Sequence, residues 1–147
     1  MSDLKNKVIV VTGGNSGIGK ATVIMLLEQG ARVMELSRSK LLTDEIQHTN
    51  LLSFKADVSI ESEVKAAFAK VVEVFGTVDV LINNAGIGLP TPDLAETDLD
   101  TFEKMVNTNM RAVFLCNREA LKIMKAKQSG HILSVVSMLQ ILERKFE

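Results

Sequence analysis

Short apolar runs alternate with segments of helical periodicity along the whole chain. Short apolar runs, the first of them rich in β-branched residues, predict five strands. They are KVIVVTG (7–13), ARVMELS (31–37), LLSFKAD (51–57), VDVLINNAG (78–86) and GHILSVVS (130–137). Apolar residues at helical spacing predict helices from Gly17 to Gln29, from near Ser59 to Phe75 and from Leu99 to Met124, with a shorter one at 41–47. Because parallel strands need crossover connections, this alternation predicts a parallel sheet with helices on both faces.

Individual residues predict how these helices begin, end and orient their apolar sides. Gly30 and Gly76 are predicted helix stops, because glycine readily adopts the left-handed conformation that ends a helix. Ser59 is the predicted cap of the second long helix, whose first turn is acidic. The helix from Leu99 has apolar residues on one side, namely Phe102, Val106, Met110, Val113 and Leu121.

Composition is typical of one globular domain and gives no sign of a nucleic acid, membrane or metal partner. The 147 residues are 46% hydrophobic and carry a formal net charge of −1, with no long block of like charge, so no nucleic acid or membrane partner is expected. No apolar run approaches the roughly 20 residues of a membrane helix, and a cytoplasmic location is expected. The single cysteine, Cys116, is interpreted as a small core residue in a reducing compartment. His48 and His131 have no ligand companions at metal-site spacing, so no metal is expected.

The glycine-rich turn in VTGGNSGIGKAT (11–22) has two interpretations. Residues 14–20 form most of a P-loop, which would bind a nucleoside triphosphate. A P-loop needs a hydroxyl directly after its lysine to coordinate magnesium, but Ala21 occupies that position. It also needs a later strand ending in aspartate, whereas the fourth strand ends in Asn83 and Asn84. The triphosphate interpretation is therefore disfavoured.

A dinucleotide site explains the same glycines better. Gly13 can turn the chain out of the strand, Gly17 leaves the helix N–H groups open to a pyrophosphate, and Gly19 allows close helix–sheet packing. A glycine-rich turn without a ligand is the alternative that glycines alone leave open.

The motifs TGGNSGIG (12–19) and NNAG (83–86) together resemble the short-chain dehydrogenases/reductases, as does the chain up to Ser137. The resemblance implies a Rossmann-type, doubly wound α/β sheet of order 3-2-1-4-5 that binds NAD or NADP. Its crevice opens between the first and fourth strands, where the strand order reverses. On the resemblance, residues 1–137 form an incomplete NAD(P)-binding domain, and the cofactor lies against these motifs and their neighbours: Gly13, Asn15, Ser16, Gly17, Ile18, Gly19, Val58, Asn84, Ala85 and Gly86.

Cofactor choice depends on the end of the second strand, where an acidic residue would bind the ribose and repel an added phosphate. Ser37 and Arg38 stand there instead, and a hydroxyl with a guanidinium suits a 2′-phosphate. NADP is therefore predicted, with NAD as second choice. Glu35 could restore an acidic contact if the register shifted. Asp57 resembles the residue that meets the adenine, although it could instead cap the next helix.

The family transfers hydride with a serine, a Tyr-x-x-x-Lys pair and an asparagine. By resemblance Ser137 is the catalytic serine and Asn109 the asparagine, with Asn107 the weaker candidate; Ser134 stands where the family often has asparagine. An amide among apolar neighbours must find hydrogen-bond partners, which supports Asn109.

The 147 residues contain no tyrosine, and the divergent tail 138–147 lacks the small residues that the family commonly has there. The leading hypothesis is an NADP-dependent oxidoreductase acting on a small-molecule carbonyl or alcohol, nearly inactive as this chain because it is truncated. The alternative is a non-catalytic nucleotide-binding or interaction module. In both cases the apolar fifth strand at the sheet edge is expected to favour self-pairing or pairing with a full-length relative.

Overall fold

The computed structural model describes residues 4–88 and 94–136, except for the side chain of Leu94. The strands are β1 (Val8–Thr12), β2 (Arg32–Ser37), β3 (Leu51–Lys55), β4 (Val80–Asn83) and β5 (His131–Ser134). The helices are α1 (Gly17–Glu28), α2 (Glu61–Phe75), α3 (Leu99–Val106) and α4 (Ala112–Ala126). All strand pairs are parallel and their order is β3-β2-β1-β4-β5. The Rossmann-type sheet and its strand order are thus confirmed.

The central strand β1 is apolar on both faces and buried along its whole length. Val8 and Val10 pack on one side, with residues of α2 and α4. Ile9 and Val11 pack on the other side, with α1. Because successive side chains of a strand point to opposite faces, one apolar run supplies both cores and fixes a three-layer arrangement.

The predicted glycine stops are confirmed, but the predicted serine cap is wrong. Gly30 has φ +79° and follows α1, and Gly76 has φ +81° and ends α2. Helix α2 has Ile60 at its N-cap position, without a side-chain hydrogen bond. Ser59 instead donates from both its N–H and its hydroxyl to Asp57. The serine therefore stabilises the turn before the helix.

Two helical predictions are corrected at their boundaries. The predicted helix at 41–47 is only a 3₁₀ turn, Leu42–Asp44. The predicted helix from Leu99 to Met124 is interrupted by a π-helical turn, Asn107–Arg111, between α3 and α4. An inserted residue of this kind rotates the helix faces on its two sides relative to one another.

The predicted apolar side of this long helix is not the buried one. Phe102, Met110 and Leu121 are exposed. Helix α4 instead buries a side that includes small residues, consisting of Ala112, Leu115, Cys116, Glu119, Ala120 and Met124. Small side chains let the helix approach the sheet closely, so packing rather than total hydrophobicity selects the face. Cys116 is confirmed as a core residue, and burial raises the pKa of its thiol to about 12.

The helices of the described part of the chain include none with the length and apolar content needed to cross a bilayer.

Candidate functional site

A crevice of about 460 Å³ opens at the carboxyl ends of the central strands. Twelve of the thirteen residues predicted to bind cofactor line it: Gly13, Asn15, Ser16, Gly17, Ile18, Ser37, Arg38, Asp57, Val58, Asn84, Ala85 and Gly86. The sequence analysis missed five lining residues: Leu36, Ser39, Ala56, Ile87 and Thr108. Most of the missed residues adjoin a predicted one, so extending each motif by a residue would have found them.

The glycine loop turns sharply at its first member. Gly13 has φ +65°, and its N–H donates to the carbonyl of Leu36 at 2.7 Å. A Cβ on Gly13 would lie 3.0 Å from Cα of Ala85. Both the left-handed conformation and the close backbone contact require glycine at this position.

Gly17 and Gly19 have different surroundings. Gly17 has φ +50°, and a Cβ there would meet no atom within 4 Å, so this glycine faces open space in the crevice. A Cβ on Gly19 would overlap the carbonyl oxygen of Gly13 and the side-chain amide of Asn84. Gly19 is the one predicted cofactor residue that lies behind the loop rather than on the crevice wall, and it allows the loop to pack on β4.

The amino terminus of α1 is open to an anion. Its N-cap, Ser16, makes no side-chain capping hydrogen bond, and the first turn contains no acidic residue. The first N–H groups of a helix have no partner within the helix, and the helix dipole favours negative charge there. An anionic group in this crevice would therefore be held by backbone N–H groups.

Asn84 and Thr12 join the two central strands below the crevice. The side-chain amide of Asn84 donates to the carbonyls of Thr12 and Gly13, each at 3.1 Å. The hydroxyl of Thr12 in turn accepts from the N–H groups of Asn84 at 3.0 Å and Ala85 at 2.9 Å. These four bonds hold the NNAG segment against the glycine loop, so the two motifs form one wall.

The end of β2 contributes Ser37 and Arg38 to the crevice. Glu35, the acidic residue that could have competed for this position, is fully buried and is not a lining residue. Its carboxylate accepts from the Ser37 hydroxyl and from the N–H of Leu42. Burial raises the pKa of Glu35, and Asp44 adds to the effect, against the hydrogen bonds from Ser53 and Leu42.

Asp57 lies at the same end of the crevice, and its side chain stabilises the turn that leads into α2. It accepts from the Ser59 N–H at 2.9 Å and the Ser59 hydroxyl at 2.7 Å. Partial burial raises the pKa of Asp57, but the bonds from Ser59 and the nearby Arg38 guanidinium outweigh it, so the pKa lies below its usual value. Asp57 is therefore an ionised acceptor beside Arg38, and its side chain does not cap α2.

Lys20, which a P-loop would use against phosphates, is directed elsewhere. It forms an ion pair with Glu45, which also pairs with Lys40 at 2.8 Å. These two lysines lower the pKa of Glu45 to about 2. Lys20 is not among the lining residues. The position of the Lys20 side chain therefore gives no support to a triphosphate site.

Asn109 is held in the π-helical turn by the loop after β4. Its side-chain oxygen accepts from the Ile87 N–H at 2.9 Å, and its side-chain N–H donates to the Ile87 carbonyl at 2.8 Å. The amide thus finds the partners that its apolar neighbourhood requires. The adjacent Thr108 lines the crevice, and Asn109 fixes this part of the helix to the NNAG segment.

The other catalytic candidates are only partly described. Ser137 and the tail 138–147 lie outside the described residues. The hydroxyl of Ser134 lies 3.4 Å from the side-chain N–H of Asn83, which also donates to Asn117 at 2.8 Å.

Comparison with known proteins gives one family. A model described as short chain dehydrogenase matches residues 7–145. The (+)-borneol dehydrogenase 2 of Salvia officinalis is 35% identical over 141 residues, or 92% of this chain. Two solved structures each share 33% identity: the 3-ketoacyl-(acyl-carrier-protein) reductase of Brucella melitensis complexed with NADH, with a TM-score of 0.86 over 91% of this chain, and ElxO with NADP bound, with a TM-score of 0.85 over 93%.

The chain spans only part of these relatives. It covers 50% of the borneol dehydrogenase and 58% of each of the two solved chains.

Proposed function

The chain belongs to the short-chain dehydrogenase family, and from this premise we propose that it binds NADP(H) in the crevice and serves hydride transfer between that cofactor and a carbonyl or alcohol. The family is one of oxidoreductases, and the two solved relatives hold NADH and NADP. The choice of NADP, the site residues and the reaction of this chain are our proposal.

The observation that carries the proposal is the uncapped amino terminus of α1 behind Gly17. Open space above Gly17 and unpartnered helix N–H groups fit a diphosphate, which is large, anionic and an acceptor at every oxygen. Asn84 and Ala85 are hydrogen-bonded to Thr12 and Gly13 and continue the same wall beside this space. Ser16, Gly17 and Ile18 are exposed, so a diphosphate oxygen could replace the water that otherwise solvates their N–H groups.

NADP is proposed over NAD on the charges at the end of β2. Arg38 offers a guanidinium fork to a 2′-phosphate, and Glu35 turns its carboxylate into the core rather than into the crevice. The two solved neighbours hold NADH in one case and NADP in the other, so the preference rests on this chain's own residues.

For the reaction, we propose that Asn109 and Ser137 orient a carbonyl and its proton. A bound nicotinamide would supply or accept the hydride. Asn109 fixes the backbone of Ile87, and through it the crevice wall that a nicotinamide would meet. Ser137 follows β5 and would provide the hydroxyl that orients a substrate oxygen.

A second candidate, a dinucleotide-binding module without catalysis of its own, is favoured by one observation. The 147 residues contain no tyrosine, the residue that resemblance assigns as the main proton donor. Such a module would contact a partner through the outer edge of β5, which in the described residues pairs with β4 alone.

The cofactor proposal is tested by Arg38→Ala. Loss of a bidentate charged contact to the 2′-phosphate should weaken NADPH binding by roughly tenfold or more and leave NADH binding nearly unchanged, as measured by titration of cofactor fluorescence. Arg111→Ala, which removes a cation that does not line the crevice, is the matched control. Equal losses for both cofactors would contradict the assignment of Arg38 to the 2′-phosphate.

The two candidates are separated by turnover. A protein of these 147 residues should reduce carbonyl compounds with NADPH about 10² to 10⁴ times more slowly than full-length family members, because it has no tyrosine to transfer the proton. Turnover at the rate of a full-length relative would exclude the non-catalytic module.

A further inference from the structure

Glu35 is a buried carboxylate directly behind the mouth of the crevice. It lies on β2 two residues before Ser37, and it is completely shielded from solvent. A Cβ on Gly14 would lie 2.5 Å from its Cγ, so the glycine loop packs directly against this side chain. A carboxylate in such a place is costly unless its oxygens have partners. Its partners therefore indicate what the residue does.

Those partners connect Glu35 to the crevice and to the loop that follows β2. One carboxylate oxygen accepts from the Ser37 hydroxyl, and the other accepts from the N–H of Leu42 at 3.3 Å. The hydroxyl of Ser53 on β3 also interacts with this carboxylate and favours its charged form. Ser37 lines the crevice, beside Arg38. The buried acid thus touches a residue at the position proposed to meet the cofactor ribose.

A serine hydroxyl has one proton and two lone pairs. While Glu35 is ionised, that proton is committed to the carboxylate, and Ser37 can offer the crevice only lone pairs. Lone pairs accept from a ribose 2′-hydroxyl but repel the oxygens of a 2′-phosphate. When Glu35 takes up a proton, its own O–H can donate to Ser37, and the hydroxyl proton of Ser37 becomes available to a phosphate oxygen.

We propose that Glu35 is a positioning residue that sets the strength of the preference for NADP over NAD, because it decides whether Ser37 accepts or donates a hydrogen bond at the crevice. This inference rests on the proposed function. Arg38 attracts the 2′-phosphate, and the Glu35–Ser37 pair opposes that attraction when Glu35 is ionised and supports it when Glu35 is neutral.

The surroundings of Glu35 move its pKa above the ordinary glutamate value. Burial raises the pKa of Glu35, the bonds from Ser53 and Leu42 oppose this, and the charge of Asp44 adds to the rise. Other charges on the elements around it are directed elsewhere: Lys20 pairs with Glu45, and Glu28 and Lys55 are exposed. Strand β1 contributes only valine, isoleucine and threonine. Among the described residues, Asp44 is therefore the charged group that raises the pKa of Glu35 in addition to burial.

Glu35→Gln is the deciding variant, because its orientation is fixed by the structure. The N–H of Leu42 needs an acceptor, so the amide oxygen should face Leu42 and the amide N–H should face Ser37. Ser37 would then donate into the crevice at every pH. We expect the affinity ratio of NADP⁺ to NAD⁺ to rise about tenfold at pH 9, where the wild-type carboxylate is ionised, because Ser37 gains one hydrogen bond to a charged group. A role limited to stability would change both affinities alike.

The experiment measures both dissociation constants by calorimetry on the 147-residue chain between pH 5 and 9. In the wild type the ratio should rise as the pH falls and Glu35 takes up its proton. Because the 2′-phosphate also titrates near pH 6, the profile of Ser37→Ala provides the reference, and the wild-type change must exceed it. In a Ser37→Ala background Glu35→Gln should no longer change the ratio. Glu73→Gln, which removes an exposed charge on α2, is the control for net charge.

The outcomes separate this inference from the proposed function. If the wild type binds neither dinucleotide, the proposed function fails and this inference fails with it. If both dinucleotides bind and Glu35→Gln leaves their ratio within twofold, or shifts it equally without the Ser37 hydroxyl, only the role of Glu35 is overturned. If Glu35→Gln does not fold, wild-type and Ser37→Ala pH profiles that coincide overturn it.

Discussion

Strands β1 and β5 both contain apolar residues but have different surroundings. All five residues of β1 are buried, with β2 and β4 on its two sides. Strand β5 pairs with β4 and is largely exposed, with Leu133 at 52% exposure. The described crevice is built by the carboxyl ends of β1 to β4, the segments that follow them and Thr108, without any residue of β5. The comparison teaches that the proposed cofactor site depends on the buried centre of the sheet, whereas β5 can be changed by mutation without altering a described residue of that site.

Gly19→Val should have the largest effect on stability and cofactor affinity, because it places a side chain in the contact between the glycine loop and the end of β4. The new side chain would overlap the Gly13 carbonyl and the Asn84 amide. Overpacking at a tight contact should lower the free energy of unfolding by about 2–3 kcal/mol. Displacement of the loop should weaken NADP⁺ binding by roughly a hundredfold. Thermal unfolding and calorimetry measure the two effects.

Gly88→Ala is the matched control for this substitution. A Cβ on Gly88 would meet no atom within 4 Å, so stability and cofactor affinity should stay close to the wild-type values. If Gly19→Val were as mild as Gly88→Ala, the close packing of the loop on β4 would be refuted.

Asp79→Asn should have an intermediate effect on stability. It tests the contacts that hold the start of β4 to the buried strand β1. Asp79 accepts from the Val8 N–H at 2.8 Å and pairs with Lys127, which follows α4. The variant keeps an acceptor for Val8 but loses the charge, so we expect it to be less stable by about 1–2 kcal/mol at pH 7. Chemical denaturation measures this difference.

The same variant has a predicted pH dependence. Partial burial raises the pKa of Asp79, but the bonds from Lys127 and Val8 outweigh it and the pKa is lowered. A carboxyl with a lowered pKa stabilises the fold above its unfolded value of about 3.9, and this stabilisation is lost as the pH falls through the folded value. The gap between wild type and variant should therefore close below about pH 4. Glu73→Gln, which breaks an exposed pair with Lys70, should change stability by less than about 0.5 kcal/mol.

Leu133→Lys should have the smallest effect on stability, within about 0.5 kcal/mol, because the side chain is already half exposed. It should instead reduce self-association of the 147-residue chain, since a charged side chain at a sheet edge disfavours pairing with another strand. Sedimentation velocity over a range of protein concentrations tests this. A wild type that stays monomeric at every concentration would contradict pairing through β5.

Much of the fold followed from patterns in the sequence. The short apolar runs predicted the five described strands, and Gly30 and Gly76 predicted two helix ends, because both signals are local. The strand order came from the family resemblance, since periodicity does not identify which strands are neighbours. Twelve of the seventeen described residues that line the crevice were predicted, because most of them follow directly on strand ends.

The remaining features depend on contacts between distant residues. The π-helical turn at 107–111 is coupled to the hydrogen bonds between Asn109 and Ile87, 22 positions apart, which no local pattern indicates. The buried face of α4 depends on how closely it approaches the sheet. Strand alternation places Glu35 on the same face as Ser37, but only the fold shows that its carboxylate accepts from Ser37 and Leu42.

Calorimetric titration of the folded wild type with NADP⁺, beside Gly17→Glu, tests the central claim most directly. The substitution places a carboxylate where a diphosphate is proposed to bind, and among the described residues no atom lies within 4 Å of the new Cβ. Because Gly17 has φ +50°, any side chain there strains the backbone, so Gly17→Ala is the control and should bind more tightly than Gly17→Glu. We expect the wild type to bind with a dissociation constant between about 1 µM and 1 mM, the range of typical Michaelis constants, and the variant to stay folded and bind at least tenfold more weakly. Equal affinities, or a folded wild type that binds neither NADP⁺ nor NAD⁺ at millimolar concentration, would contradict the proposed dinucleotide site.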